Sequence, residues 1–248
     1  MFTTLLYHEI LPCEEILSVP RPISVADGYE DALPTVLYNS YECFCEQMNY
    51  LIQEHYHFLT LKEVKNYYKN SFNLPKKAVL ITFDDCFQSQ MKYAYPFLKD
   101  KGIPAVSFEA AGWVFDHPQP YEQSLSKTLS FPELKQMKDV FTYANHSYHF
   151  HQRSGRERSR IMWESKAAFI EDVNKCNDYV QEKDVYAYPF GLYNKENVET
   201  LTELGFTLAF TTVPGINTKK TNPLELHREV IPEGLSLAAF REKLGETV

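Results

Sequence analysis

What this sequence lacks narrows it first. No apolar run approaches the roughly 18 residues a membrane-spanning helix needs, so none is expected. There is no surplus of basic residues. Lys and Arg number 25 against 33 Asp and Glu, and the resulting net charge of −8 argues against nucleic acid as a partner. Glycine is scarce, nine residues in 248, and none forms a Gly-rich phosphate loop, which disfavours a nucleotide-binding doubly wound sheet. The five cysteines (Cys13, Cys43, Cys45, Cys86, Cys176) are odd in number and scattered, which fits reduced cytosolic thiols better than a disulfide framework. Cys43 and Cys45 form a C-x-C without a second half, so a structural zinc site is not expected there. The first ten residues, Met1 to Ile10, have neither a basic start nor a small-residue cleavage site. They read as a first strand, and the expected compartment is the cytoplasm.

What is present is an alternation of strands and helices. Leu5–Tyr7, Val79–Phe83, Ala105–Phe108, Asp139–Ala144, Val185–Gly191 and Thr207–Thr212 are β-branched or aromatic runs of strand length. Between them, 3.6-residue periodicity predicts helices near Phe44–Ile52, Leu61–Tyr68, Met91–Lys101, 131–137, 164–180, Lys195–Leu204 and Leu237–Leu244. Gly102 and Gly205 stand where helix C-termini want a left-handed residue, and Ser130 stands as an N-cap with Pro132 in the first turn. Residues 11–39, rich in Pro, Glu and Asp, read as one irregular loop, and a loop that long is usually functional. No linker or repeat is visible. The expected architecture is α/β, a single (β/α) barrel domain over residues 1–248.

The chemistry sits at predicted strand ends, which share one face in a barrel. The run Ala78-Val79-Leu80-Ile81-Thr82-Phe83 delivers Asp84 and Asp85. Two ionised carboxylates there are costly unless paired or bound to a metal. A second strand delivers Asn145-His146-Ser147-Tyr148-His149-Phe150-His151. One Asp and two His form a donor set of borderline softness, which suits catalytic zinc. The neighbouring Asp is then free to take a proton from water, and a histidine can protonate a leaving amine.

The Thr82-Phe83-Asp84-Asp85 run, the His146-Ser147…His151 cluster and the Tyr188-Pro189-Phe190-Gly191 turn resemble the polysaccharide deacetylases of carbohydrate esterase family 4, the NodB-homology domain. The i, i+5 histidine spacing and the Leu5-Leu6-Tyr7-His8 strand resemble, within that family, the group acting on poly-β-1,6-N-acetylglucosamine. The resemblance implies a distorted (β/α)7/8 barrel that removes acetate from an N-acetylated amino sugar in a polysaccharide or its precursor. It implies Asp84 as general base, His8 as general acid, and the Phe190 backbone N–H at the oxyanion. Asp85, His146 and His151 would bind Zn2+ or another divalent transition metal. Tyr148, Pro189 and Tyr193 are the expected substrate-binding residues, with Trp113 a further aromatic on which a sugar ring can stack.

The sequence departs from the family pattern at three places, one of them the acidic-tryptophan segment of many relatives, where Thr211-Thr212-Val213-Pro214-Gly215 stands instead. Cys86 stands where Gly usually follows the two acids, which costs backbone strain if φ is positive there. Ala187 stands where many relatives carry the arginine that orients the base. His149 competes with His151 as ligand, and His227 competes with His8 as acid. The cluster Arg153, Arg156, Arg158, Arg160 reads as a solvated face or as an anion clamp. Two other functions stay open: a catalytically silent glycan-binding barrel, and a cytosolic amide hydrolase acting on a small sugar-linked precursor.

Overall fold

The structure, a computed structural model, describes residues 1–69 and 73–246. Seven parallel strands form its main sheet: β1 (Thr3–Tyr7), β2 (Ala78–Asp84), β3 (Ala105–Glu109), β4 (Phe141–Asn145), β5 (Glu182–Ala187), β6 (Leu208–Phe210) and β7 (Glu229–Val230). Their spatial order is β6-β5-β4-β3-β2-β1-β7, with the two-residue strand His57–Phe58 beside the start of β2. The sheet curls into a distorted barrel. Leu226 bridges Phe210 of β6, and three residues later Glu229 of β7 pairs with Leu5 of β1, so the segment 226–230 spans from the last strand back to the first. The expected barrel is therefore present.

Strand alternation sets what each side chain meets. Ala78 and Leu80 of β2 point inward with Phe108, Ala144, Val185, Phe210 and Leu226. Val79, Ile81 and Phe83 point outward into a second layer with Phe44, Met48, Leu51 and Leu98. Each such fully buried side chain contributes about 1.5–3 kcal/mol. The same alternation turns Asp84, the last residue of β2, toward the barrel interior.

The outer layer is helical: α1 (Tyr41–Gln53), α2 (Leu61–Tyr68), α3 (Tyr95–Lys101), α4 (Phe131–Gln136), α5 (Lys166–Cys176), α6 (Lys195–Glu203) and α7 (Leu237–Lys243). Thr60 with Glu63 and Ser130 with Glu133 form capping boxes at the starts of α2 and α4. The expected helix from Met91 begins instead as a π-helical turn over Gln90–Ala94. Such wide turns often mark functional sites, and this one aims Gln90 at the site described below.

Residues 11–39 are not one irregular loop. They hold short strands at Glu9–Leu11, Arg21–Ser24, Ala32–Leu33 and Tyr38–Ser40. The segment lacks hydrophobic periodicity because polar anchors order it. Arg21 is buried; its backbone N–H donates to the Tyr38 hydroxyl (2.5 Å) and its guanidinium to the Glu15 carbonyl. Among the described residues no helix is long and apolar enough to cross a membrane.

Candidate active site

The strand ends converge on one cavity of about 260 Å³, lined among others by His8, Asp84, Asp85, His146, His151 and Phe190. After β2 the chain kinks sharply. Asp85 and Cys86 both have left-handed backbones (φ 69° and 53°). The strain expected for Cys86 is present, because a side chain at positive φ is disfavoured. Its surroundings hold it: the Cys86 carbonyl accepts from the Leu129 N–H (2.8 Å), and its sulfur lies 3.3 Å from the Ser107 hydroxyl.

Asp84 is buried and gripped by Arg228 through two hydrogen bonds, Nη1 to Oδ1 at 2.7 Å and Nη2 to Oδ2 at 2.9 Å. Arg228 in turn donates Nε–H to the Thr211 carbonyl (2.8 Å) and has no exposed surface. Burial alone would raise the Asp84 pKa, but the guanidinium charge outweighs it and holds the carboxyl below its usual value. Arg228 therefore performs the orienting task for which Ala187 has no side chain. Ala187 has another part. Its carbonyl lies 2.7 Å from Nδ1 of His146, so Nδ1 carries the proton and Nε2 presents a lone pair.

That lone pair faces the other two expected ligands. His146 Nε2 and His151 Nε2 are 3.1 Å apart, and the Asp85 Oδ1 lies 3.2 Å from His151 Nε2 and 3.7 Å from His146 Nε2. A tetrahedral ion about 2.0–2.1 Å from each donor sets separations of about 3.3–3.4 Å between them. Asp85 Oδ1 is buried and makes no hydrogen bond, and all three residues are buried. With no cation present, burial and then the Asp84 charge push the Asp85 carboxyl well above its usual range, and burial pushes both imidazoles down. A divalent ion among them relieves all three, so the residues fit a metal. His149 is turned away, with Nδ1 3.2 Å from Asp27 at the surface.

His8, at the end of β1, lines the same cavity, and burial holds its imidazole down at about 4. Its Nδ1 has no partner. His227 does not line the cavity, because the alternation that turns Leu226 and Arg228 inward turns His227 outward. Gln90 Nε2 ties the strand ends together, donating to the carbonyls of Asp84 (2.8 Å) and His8 (3.1 Å).

Phe190 also has a left-handed backbone (φ 60°), and its ring packs 4.3 Å from that of His151. Gly191 must be glycine: a Cβ there would fall 1.9 Å from the Thr212 hydroxyl. Of the expected substrate contacts, Tyr148, Pro189 and Tyr193 are not among the cavity-lining residues. Tyr148 lies on the outer face against Tyr179, its N–H held by Asp172. Tyr193 stacks on Tyr188 and donates its hydroxyl to Glu225. Trp113 lines the cavity together with Phe87 and Phe190; its ring is centred 4.2 Å from the His151 ring, and its buried Nε1–H is unpartnered.

The arginine cluster divides. Arg153 is bound by Asp31 through Nε (2.6 Å) and Nη2 (2.8 Å), and Arg160 by Glu164 and Gln152. Arg228, Gln90 and Asp31 were all missed from sequence. The only signal for Arg228 was a charged residue flanked by apolar neighbours two positions away on each side, at Leu226 and Val230.

A family model, Polysaccharide deacetylase, matches residues 72–209. The chain belongs to the polysaccharide deacetylase family. It is 30% identical over 197 residues to a poly-β-1,6-N-acetyl-D-glucosamine N-deacetylase of Staphylococcus aureus, covering 77% of this chain and 66% of that protein. The same-named protein of Staphylococcus epidermidis is 27% identical over 175 residues, covering 68% of this chain and 59% of that one. The chain thus spans about two thirds or less of these relatives. Two solved structures share the fold. IcaB from Ammonifex degensii superposes with a TM-score of 0.75 at 23% identity, covering 98% of this chain and 95% of that one. The Streptococcus pyogenes deacetylase PplD, solved with acetate, gives 0.76 at 23% identity, covering 98% and 97%.

Proposed function

We propose that this polysaccharide deacetylase family member is a metal-dependent carbohydrate N-deacetylase. It hydrolyses the N-acetyl group of an amino sugar, in a polysaccharide or its precursor, and releases acetate. The observation that carries the reading is the division of labour between two adjacent acids. Asp85 joins His146 and His151, while Asp84 is held ionised by Arg228 with Oδ2 3.7 Å from His146 Nε2. The names of the staphylococcal relatives support an N-acetylglucosamine substrate.

Asp85, His146 and His151 would hold the cation; zinc suits one carboxylate and two imidazoles, and other divalent transition metals share that preference. When bound, it polarises the acetyl carbonyl and acidifies the attacking water. Asp84 takes the water's proton, and Arg228 keeps that carboxylate in place and charged. His8 passes on to the leaving amine the proton that Asp84 takes from water. The Phe190 backbone N–H steadies the negative oxygen of the tetrahedral intermediate. Trp113 offers a ring face and an N–H donor to the sugar. All five cysteines are unpaired, which supports a reducing compartment. The departures at Cys86 and Ala187 do not favour a silent barrel. The first is accommodated, and the second is answered by Arg228.

Acetate release from N-acetylglucosamine oligomers tests the reading. It is expected to vanish with chelator, return with added zinc, and be lost in Asp84→Asn. Release that survives chelation and Asp84→Asn together overturns it.

A further inference from the structure

Resting on the N-deacetylase reading, we propose that residues 21–37 confine the enzyme to an N-acetylated sugar at the end of a chain, or to a free one, and that Asp31 and Arg153 are the specificity-determining pair. The cavity, about 260 Å³, lies at the small end of ligand pockets, a size suited to one acetamido sugar.

The cause is the polar segment following β1. Ile23, Leu33, Pro34 and Leu37 of this segment line the cavity, as do Phe190 and Arg153. The segment is tied on both sides of the mouth. At its base, Ile23 and Ser24 pair with Ser126 and Lys127, and Arg21 is buried. Further along, the Ala26 N–H donates to the Trp113 carbonyl (2.9 Å), and the Tyr29 ring stacks on Trp113. At the far side Asp31 grips Arg153 through two bonds, and the Arg153 backbone N–H donates to the Tyr29 hydroxyl (3.2 Å). Arg153 belongs to the loop that follows the metal-site histidines. The segment therefore crosses from one rim to the other and closes one side of the mouth.

A sugar inside a polymer has neighbours on two sides and needs two exits from the site. A terminal sugar needs one. The closed side admits the second and excludes the first. The Asp31–Arg153 pair is the removable part of this closure, because both side chains are about one quarter exposed (22% and 27%), whereas Arg21, Ser126 and Lys127 at the base are buried.

The test uses β-1,6-linked N-acetylglucosamine oligomers of increasing length, labelled at the reducing end, with products mapped by fragmentation mass spectrometry. The unmodified enzyme is expected to deacetylate a terminal sugar only. Arg153→Met and Asp31→Asn, made separately, are expected to yield internally deacetylated products and to raise kcat/KM for the longest oligomer relative to the shortest by about tenfold or more. Exchanging the charges, Asp31→Arg with Arg153→Asp, is expected to move the ratio back. Internal products from the unmodified enzyme, or a ratio unmoved in both single variants, overturn this inference alone. No acetate from any length overturns it together with the deacetylase reading.

Discussion

The floor and the roof of the cavity are each held by an arginine gripping an aspartate through two hydrogen bonds. On the floor, Arg228 and Asp84 are 0% and 4% exposed; at the roof, Arg153 and Asp31 are 27% and 22% exposed. The motif is the same, but the surroundings make it two devices. Inside the barrel, removing one partner strands a charge away from water, and the remaining Coulomb interaction is weakly screened. At the roof, water replaces whichever partner is lost. The first pair holds a reacting group still. The second holds a wall that can be opened without unfolding the barrel.

That contrast can be broken in several places. The largest effect is expected from Asp84→Asn, which should lower kcat by about 10²–10⁴, the range of general-base catalysis, in an acetate-release assay. Retained activity would remove Asp84 from the mechanism. Next, Arg228→Met should destabilise the fold by about 3–5 kcal/mol, because Asp84 is left buried and unpaired. Denaturant titration measures it, and the double variant Asp84→Asn/Arg228→Met should recover part of the loss.

Glu109, at the end of β3, sharpens the comparison as a buried carboxyl without an arginine. Burial raises its pKa to about 7, and Oε1 has no partner. The folded state therefore holds a proton that the unfolded state, with a pKa near 4.5, releases. The associated stability is full below pH 4.5 and is lost as pH rises to about 7, a change on the order of 3 kcal/mol. Asp84, with its pKa lowered, has the opposite sign: its contribution is present above its usual pKa of 3.8 and is lost only as pH falls below it. Glu109→Gln should flatten the stability profile between pH 4.5 and 7, as read by melting at several pH values. An unchanged slope would assign the titration elsewhere.

Zinc at a hundredfold excess over its dissociation constant should stabilise the fold by about 2.7 kcal/mol, and His151→Ala should abolish the shift in thermal melting. The smallest effect is expected at the roof. Arg153→Met should cost about 1 kcal/mol or less, so a loss comparable to that of Arg228→Met would erase the distinction between the two pairs.

Much of this was legible before any coordinates. Strand-forming runs ending in Asp84-Asp85 and in the His146–His151 cluster announce themselves locally, because period, β-branching and end position are properties of a few neighbouring residues. The helices over Leu61–Tyr68 and Lys195–Glu203 and the stop at Gly102 were legible for the same reason. The segment 11–39 was opaque because its order comes from single polar anchors, Arg21 and Tyr38, which leave no periodic trace. Tyr148 and Tyr193 were expected at the substrate, with Trp113, as aromatics on which a sugar ring can stack. Strand and turn geometry sends neighbours in opposite directions, and Trp113 reaches the cavity from a different loop.

The order of strands and helices, the donor types for a metal and the pairing of two acids at one strand end are fixed by local sequence, since each follows from residues within one element or its immediate end. Which charge meets Asp84, which aromatic reaches His151 and how wide the mouth stands were decided by the tertiary structure. Arg228 lies 144 residues from Asp84, and Asp31 lies 122 residues from Arg153. Only closure of the barrel, driven by burial of its two apolar layers, brings such distant side chains within hydrogen-bonding reach.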